Sequence, residues 1–264
     1  MRRSLATLLV ATGLMLGGSA VAVAKPHHPP PPPPPPAFNW TGWYVGANVG
    51  YSWGSAKTNY SSPAFGGFGL PGSLLDGQKP NGVIGGLQAG YNWQANNMWV
   101  YGLETDFQGS AESGTGNFGA NYFFDFPVGF SALNASVTTK ILWFGTVRAR
   151  AGYLITPDTL LYATGGLAYG GIKSAGNFTD THIPASWSFG GTTTAVGWTV
   201  GGGIEGAVPN MSAWTWRVEY LYVDYGTINF SGATGDPTFP TYTWSARVTD
   251  NIVRAGFNYK FSSP

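Results

Sequence analysis

The chain has 264 residues, no cysteine, 40 glycines, 16% aromatic and only 9% charged residues, where a soluble domain carries roughly 25% charge. So little charge will not keep a folded chain dispersed in water, which points to membrane burial or assembly. A net charge of +1 leaves no electrostatic case for nucleic acid, and the missing cysteine excludes disulfides and thiolate metal centres.

The amino terminus reads as an address. Arg2 and Arg3 precede the apolar run Leu5 to Leu16, and Ala22, Val23 and Ala24 form a small-x-small cleavage site. Residues 1–24 are therefore expected to be a signal peptide, with a mature start at Lys25. Removing Arg2 and Arg3 leaves 11 basic against 12 acidic residues, about −1. The run is too short for an anchor, since a spanning helix needs ~20 apolar residues, and no later stretch comes near that length. Any insertion of the mature chain must then be as a closed β-barrel, because only helices and barrels satisfy every backbone group in lipid.

Residues 25–39 form a Pro-rich periplasmic tail. Pro29 to Pro36 is unbroken proline, a polyproline II rod of ~25 Å at ~3.1 Å per residue. It reads either as a spacer reaching the cell wall or as an unstructured tail. His27 and His28 have no carboxylate beside them and read as solvated, with no metal site implied.

From Trp40 a two-residue period sets in. Trp43, Val45, Ala47, Val49, Tyr51 and Trp53 share one face, with Tyr44, Gly46, Asn48, Gly50 and Ser52 opposite. Ser55 to Asn81 reads as a long loop. The second strand sets Val83, Leu87, Ala89, Tyr91 and Trp93 against Ile84, Gln88, Gly90 and Asn92, and the third sets Trp99, Tyr101, Leu103, Thr105 and Phe107 against Val100, Glu104, Asp106 and Gln108. Ser110 to Ser136 reads as a second long loop. The fourth strand, Val137 to Leu154, alternates most strictly: Trp143, Gly145, Val147, Ala149, Ala151 and Tyr153 against Phe144, Thr146, Arg148, Arg150 and Gly152.

A short turn, Ile155 to Thr159, leads to the fifth strand, Leu161, Ala163, Gly165, Leu167 and Tyr169 against Tyr162 and Thr164, and then to a loop from Lys173 to Thr194. The sixth strand carries Val196, Trp198, Val200 and Ile204 against Thr199 and Glu205. After the turn Pro209 to Ala213 the seventh carries Trp214, Trp216, Val218, Tyr220 and Tyr222 against Arg217, Glu219 and Leu221. A fourth loop, Gly226 to Ala246, precedes the last strand, Val253, Ala255, Phe257, Tyr259 and Phe261 against Arg254, Gly256, Asn258 and Lys260. Connections alternate long and short, as expected of an all-β, eight-stranded antiparallel up-and-down transmembrane β-barrel over residues 40–261, with short periplasmic turns. Residues 262–264 are a C-terminal tail.

One set of charges decides which face is which. Glu104, Asp106, Lys140, Arg148, Arg150, Glu205, Arg217, Glu219, Arg254 and Lys260 fall opposite the aromatics throughout and are read as a lumen charge network. A soluble barrel would have to expose the whole Trp, Tyr, Val and Leu face to water, and continuous apolar bands of that size are rare on soluble monomers. Tryptophan and tyrosine at strand ends suit the lipid interface. Strand glycines are read as making room in the lumen or at tight curvature.

Several stretches resemble the small alphaproteobacterial outer-membrane β-barrel surface proteins, the porin-family or opacity-like group. They are Trp40-Thr-Gly-Trp-Tyr-Val-Gly, Trp143-Phe-Gly-Thr-Val-Arg-Ala-Arg-Ala-Gly-Tyr153, Leu161-Tyr-Ala-Thr-Gly-Gly-Leu-Ala-Tyr-Gly170, Val218-Glu-Tyr-Leu-Tyr-Val-Asp224 and Asn251-Ile-Val-Arg-Ala-Gly-Phe-Asn-Tyr-Lys-Phe261. The resemblance implies a Gram-negative outer-membrane barrel tied to envelope integrity or host contact, with no catalytic residues. The expected partners are outer-membrane lipid and lipopolysaccharide, the barrel-insertion machinery and, through the tail, the cell wall. Gly256, Tyr259 and Phe261 resemble the C-terminal signal that this machinery reads. Outer-membrane yield separates signal from packing, because Phe261→Ala should then cost more than Phe257→Ala. Family chains commonly end at the aromatic, whereas Ser262, Ser263 and Pro264 follow here, and the octaproline run is outside the shared pattern.

No cofactor or metal site is implied. Gly67-Phe-Gly-Leu-Pro-Gly72 matches a dinucleotide fingerprint only formally, since no strand precedes it and no helix follows. Asp180 and His182 are the best candidates for an outer-membrane enzyme, but no serine or second acid marks a partner. A structural or surface-interaction barrel therefore leads, a small porin is the alternative, and an enzyme is the distant third.

Overall fold

The computed structural model describes residues 38–61, 73–125, 128–180, 185–232 and 242–261. The readings of the signal peptide, the proline run, His182 and the C-terminal tail lie outside the described residues, and of Asp180 only the backbone is described. Nine strands make one antiparallel sheet: β1 Gly42–Ser61, β2 Ser73–Gln78, β3 Asn81–Ala95, β4 Trp99–Asp125, β5 Val128–Thr156, β6 Thr159–Asp180, β7 Ala185–Val208, β8 Met211–Gly232 and β9 Tyr242–Lys260. β1 pairs with both β2 and β3, each strand from β3 to β8 pairs with the next in sequence, and β1 also pairs with β9, which closes the ring.

The ninth strand does not add a ninth stave. β3 pairs with Gly42–Trp53 of β1, and β2 pairs with the continuation Ala56–Ser61, so the two occupy one place around the ring. They are parted at Lys79 and Pro80, where proline has no N–H for the ladder. The break is bridged by Gly54 N–H donating to the Pro80 carbonyl at 2.7 Å.

The long loops expected from sequence are for the most part strand. β4 and β5 stay paired out to Asp125 opposite Val128, and β6 and β7 out to Asp180 opposite Ala185. These stretches read as loops because they lack outward apolar residues. Above the lipid, however, an outward face of Ser, Thr and Asn suits water, and the ladder itself needs only backbone groups. The opposite turns are short, and Asn96 (φ 59°) and Asn210 (φ 64°) take the left-handed conformation there, which asparagine tolerates better than most residues.

The outward face carries an apolar band. Leu87 and Val196 are each 68% exposed, Trp43 65% and Leu167 61%. Trp43, Trp99, Tyr153, Trp214 and Tyr259 ring its periplasmic edge, and Trp53, Trp143, Tyr169, Trp198 and Tyr222 its outer edge, in pairs such as Trp99 with Tyr153 at 5.4 Å and Trp198 with Tyr222 at 5.5 Å. Two such girdles flanking an apolar zone are the signature of a wall in lipid. Register shifts lie just beyond the outer girdle, at Gly109/Glu112 on β4, Ile141/Trp143 on β5 and Asp224/Thr227 on β8.

Candidate functional site

The site is the lumen, and its centre is a web of buried charge. On β4, Glu104 and Asp106 point inward from consecutive lumen positions, and on β5 Arg148 and Arg150 do the same. Register sets Glu104 directly opposite Arg148. The Glu104 carboxylate accepts from both terminal nitrogens of Arg217 (Nη2 at 3.0 Å), from Arg148 Nη2, and from the Tyr44 hydroxyl at 2.6 Å. Across the lumen Glu219 accepts from Arg148 Nη1 at 2.9 Å, Arg217 Nη2 at 3.1 Å, Arg254 Nε at 2.8 Å and the Tyr162 hydroxyl at 3.1 Å. Asp106 accepts from Arg254 Nη2 and Thr146 Oγ1, each at 2.8 Å. Glu205 accepts from Arg150 Nη2 and Thr215 Oγ1, each at 2.6 Å, and from Asn258 Nδ2 at 2.9 Å. Gln88 joins from β3 by donating to Asn258 at 2.8 Å.

Every stave thus contributes: Tyr44 on β1, Gln88 on β3, Glu104 on β4, Arg148 on β5, Tyr162 on β6, Glu205 on β7, Arg217 on β8 and Arg254 on β9. Four guanidinium groups face four carboxylates, so the web is neutral as a whole, and all eight of these charged residues are at most 4% exposed. Planar guanidinium groups suit this, because each offers several donors in one plane to carboxylates on different strands. Buried charges this far from water stay ionised only if paired and hydrogen-bonded. Two glycines make room: a Cβ at Gly90 would stand 2.4 Å from the Tyr44 hydroxyl, and one at Gly203 2.7 Å from that of Tyr162. The Arg150 guanidinium carbon in turn sits 4.0 Å from the Tyr162 ring centroid, a cation–π contact.

Two of the charges expected in this web are elsewhere. Lys140 is exposed on the outer wall, because the extra residue Leu142 bulges β5 and turns the strand over: Phe144 and Ile141 both point in, and Lys140 points out. A bulge shifts the two-residue alternation by one, and strict alternation back from Trp143 could not register it. Lys260 does face the lumen side, but at its periplasmic mouth. There its ammonium donates to the Asn39 carbonyl and lies 5.4 Å from the Phe38 ring centroid, too far down the wall to meet the carboxylates.

Below the web the filling is largely apolar, and above it an apolar cluster shares the lumen with buried polar groups that include Gln108, Glu112 and Asp250. On the periplasmic side Trp40, 1% exposed, packs with Val100, Leu154, Leu160 and Tyr162, with Phe38 against it. Its indole donates to the Pro157 carbonyl at 3.2 Å, and its backbone N–H to Gln94 Oε1 at 3.1 Å. On the outer side Ile84, Ile141, Phe144, Ile172, Leu221, Val223, Tyr225, Val248 and Ile252 form a second cluster. Sequence reasoning missed Trp40 as a lumen residue because it precedes the first strand, and it passed over Tyr44 and Tyr162 as network members. Their signal was a lone aromatic on a glycine-rich inward face.

Among the C-terminal residues, Gly256 faces inward, where a Cβ would meet the Ala47 carbonyl at 2.4 Å. Tyr259 and Phe261 face outward with ring centroids 5.5 Å apart, and Phe261 N–H donates to the Trp43 carbonyl at 2.9 Å.

Comparison with known proteins agrees with this architecture. The outer membrane protein beta-barrel domain family matches residues 11–261. The chain is 43% identical over 225 residues to the 31 kDa outer-membrane immunogenic protein of Brucella melitensis biotype 1, covering 85% of each chain. It is 29% identical to the 22 kDa outer membrane protein of Rhizobium leguminosarum bv. viciae, over 85% of this chain and 80% of that one. The solved outer membrane protein OprG of Pseudomonas aeruginosa is similar in fold, with a TM-score of 0.52 at 11% identity over 86% of this chain and 99% of that one.

Proposed function

The chain belongs to the outer membrane protein beta-barrel domain family, an outer-membrane barrel by descent as well as by architecture, and from that premise we propose that it serves as a non-enzymatic structural and surface-display element of the envelope, its lumen closed by its own side chains. The observation that carries this reading is the web itself, to which every stave sends a side chain and whose members are all but inaccessible to solvent. An eight-stave barrel encloses a space that side chains can fill, while water-filled porin channels typically need about 16 to 18 strands. The Trp40 cluster beneath and the isoleucine-rich cluster above add two apolar layers on the same axis. The immunogenic name of the Brucella relative favours display at the cell surface. Residues 1–24 serve in this reading as a cleaved signal peptide.

Planar-bilayer recording on refolded protein tests the closed lumen. The unmodified protein should give little or only rare, small conductance, and the triple variant Arg148→Ser, Arg217→Ser, Trp40→Gly a clear rise. Steady, large conductance from the unmodified protein would overturn the closed-lumen reading and favour the small porin.

A further inference from the structure

Among the described residues, every exposed lysine and arginine on the wall lies beyond the outer aromatic girdle: Lys57 on β1, Lys79 before β3, Lys140 on β5, Lys173 on β6 and Arg247 on β9. Their arrangement is unusual in a chain with only 9% charge. Lys140 stands directly opposite Lys173, and Lys57 directly opposite Arg247. Like charges facing each other across strands destabilise a sheet. Arg247 is relieved by Asp224 at 2.8 Å, but among the described side chains no carboxylate pairs with Lys57, Lys140 or Lys173.

We propose that these residues form a collar for the phosphate groups of phosphorylated glycolipid in the outer leaflet, with Lys140 and Lys173 as its principal seat. The two amines border a groove of about 430 Å³ whose lining also includes Ser136, Thr138, Asn177 and Ser188. Cationic and neutral hydrogen-bond donors together suit a phosphate, which offers only acceptors and negative charge. Height selects the source of that phosphate. Lys57 and Lys173 are four residues beyond Trp53 and Tyr169, a rise of roughly 10 Å once strand tilt is allowed for. Long lysine stems can reach down from there into the headgroup layer. Distribution selects it too. The paired cations sit at β5/β6 and at β9/β1, with other staves between them on both sides, as suits a lipid annulus that surrounds the barrel; a protein partner would contact one side.

Native mass spectrometry of the full-length refolded protein, titrated with bisphosphorylated lipid A, tests the proposal. Replacing two lysines near an anionic headgroup, as in Lys140→Gln/Lys173→Gln, should weaken binding about thirtyfold. Lys140→Arg/Lys173→Arg should bind as the unmodified protein does. Dephosphorylated lipid A should bind the unmodified and Gln proteins equally. Both positions are exposed, and the heat-modified gel shift of each variant reports that the barrel has formed. Lipid A binding that differs less than twofold between the unmodified and Gln proteins overturns the proposal. So does inorganic phosphate competing as effectively as lipid A, which would make this a site for free anions.

Discussion

The membrane zone and the extracellular zone of this barrel are built from the same strands and obey opposite solvent rules. On β9, Val253, Phe257 and Tyr259 face outward in the membrane zone, with Arg254 and Asn258 inward; further out, Thr243 and Arg247 face outward while Trp244, Ala246 and Val248 are buried. β1 makes the same exchange without changing phase, from Val49 and Trp53 outside to Lys57 and Asn59 outside. β5 makes it by changing phase, through the bulge at Leu142. The chemistry of a position therefore follows its height relative to the two girdles. In lipid the outside must be apolar, and polar groups are accommodated inside by pairing. In water the outside must be polar, and the narrow interior combines an apolar cluster with buried polar groups such as Glu112 and Asp250.

Breaking the web should cut deepest into this contrast. Glu104→Ala leaves Arg148 and Arg217 without a main partner and should cost about 3–5 kcal/mol in urea unfolding from vesicles. Glu112→Gln, at a buried carboxylate of the extracellular zone that accepts from Ser110 and meets no guanidinium among the described residues, should cost about 1 kcal/mol. Equal losses would mean that the pairing in the web contributes nothing particular. The outer wall gives the smallest and sharpest test. Val147→Arg, 51% exposed in the apolar band, should cost about 2–4 kcal/mol in a bilayer, and Thr138→Arg on the same strand above the girdle no more than about 0.5 kcal/mol. Similar costs at the two positions would remove the boundary drawn here.

The sequence by itself determined the membrane zone. Alternation from Trp143 to Tyr153 and its counterparts on the other strands, the short turns at Pro157 and Pro209, and the segregation of arginine from tryptophan are local patterns of period two. They are legible because lipid and lumen impose opposite demands on adjacent residues. Tertiary structure decided what depends on distance along the chain. Glu104 meets Arg217 across 113 residues and Asp106 meets Arg254 across 148, so ring closure and register choose these partners. Register also decided that Lys140 leaves the lumen, that Trp40 enters it, and that the four glycine- and serine-rich stretches continue as strand. In each of these cases the local composition is compatible with more than one placement, and the neighbouring staves supply the missing hydrogen bonds and contacts that select one.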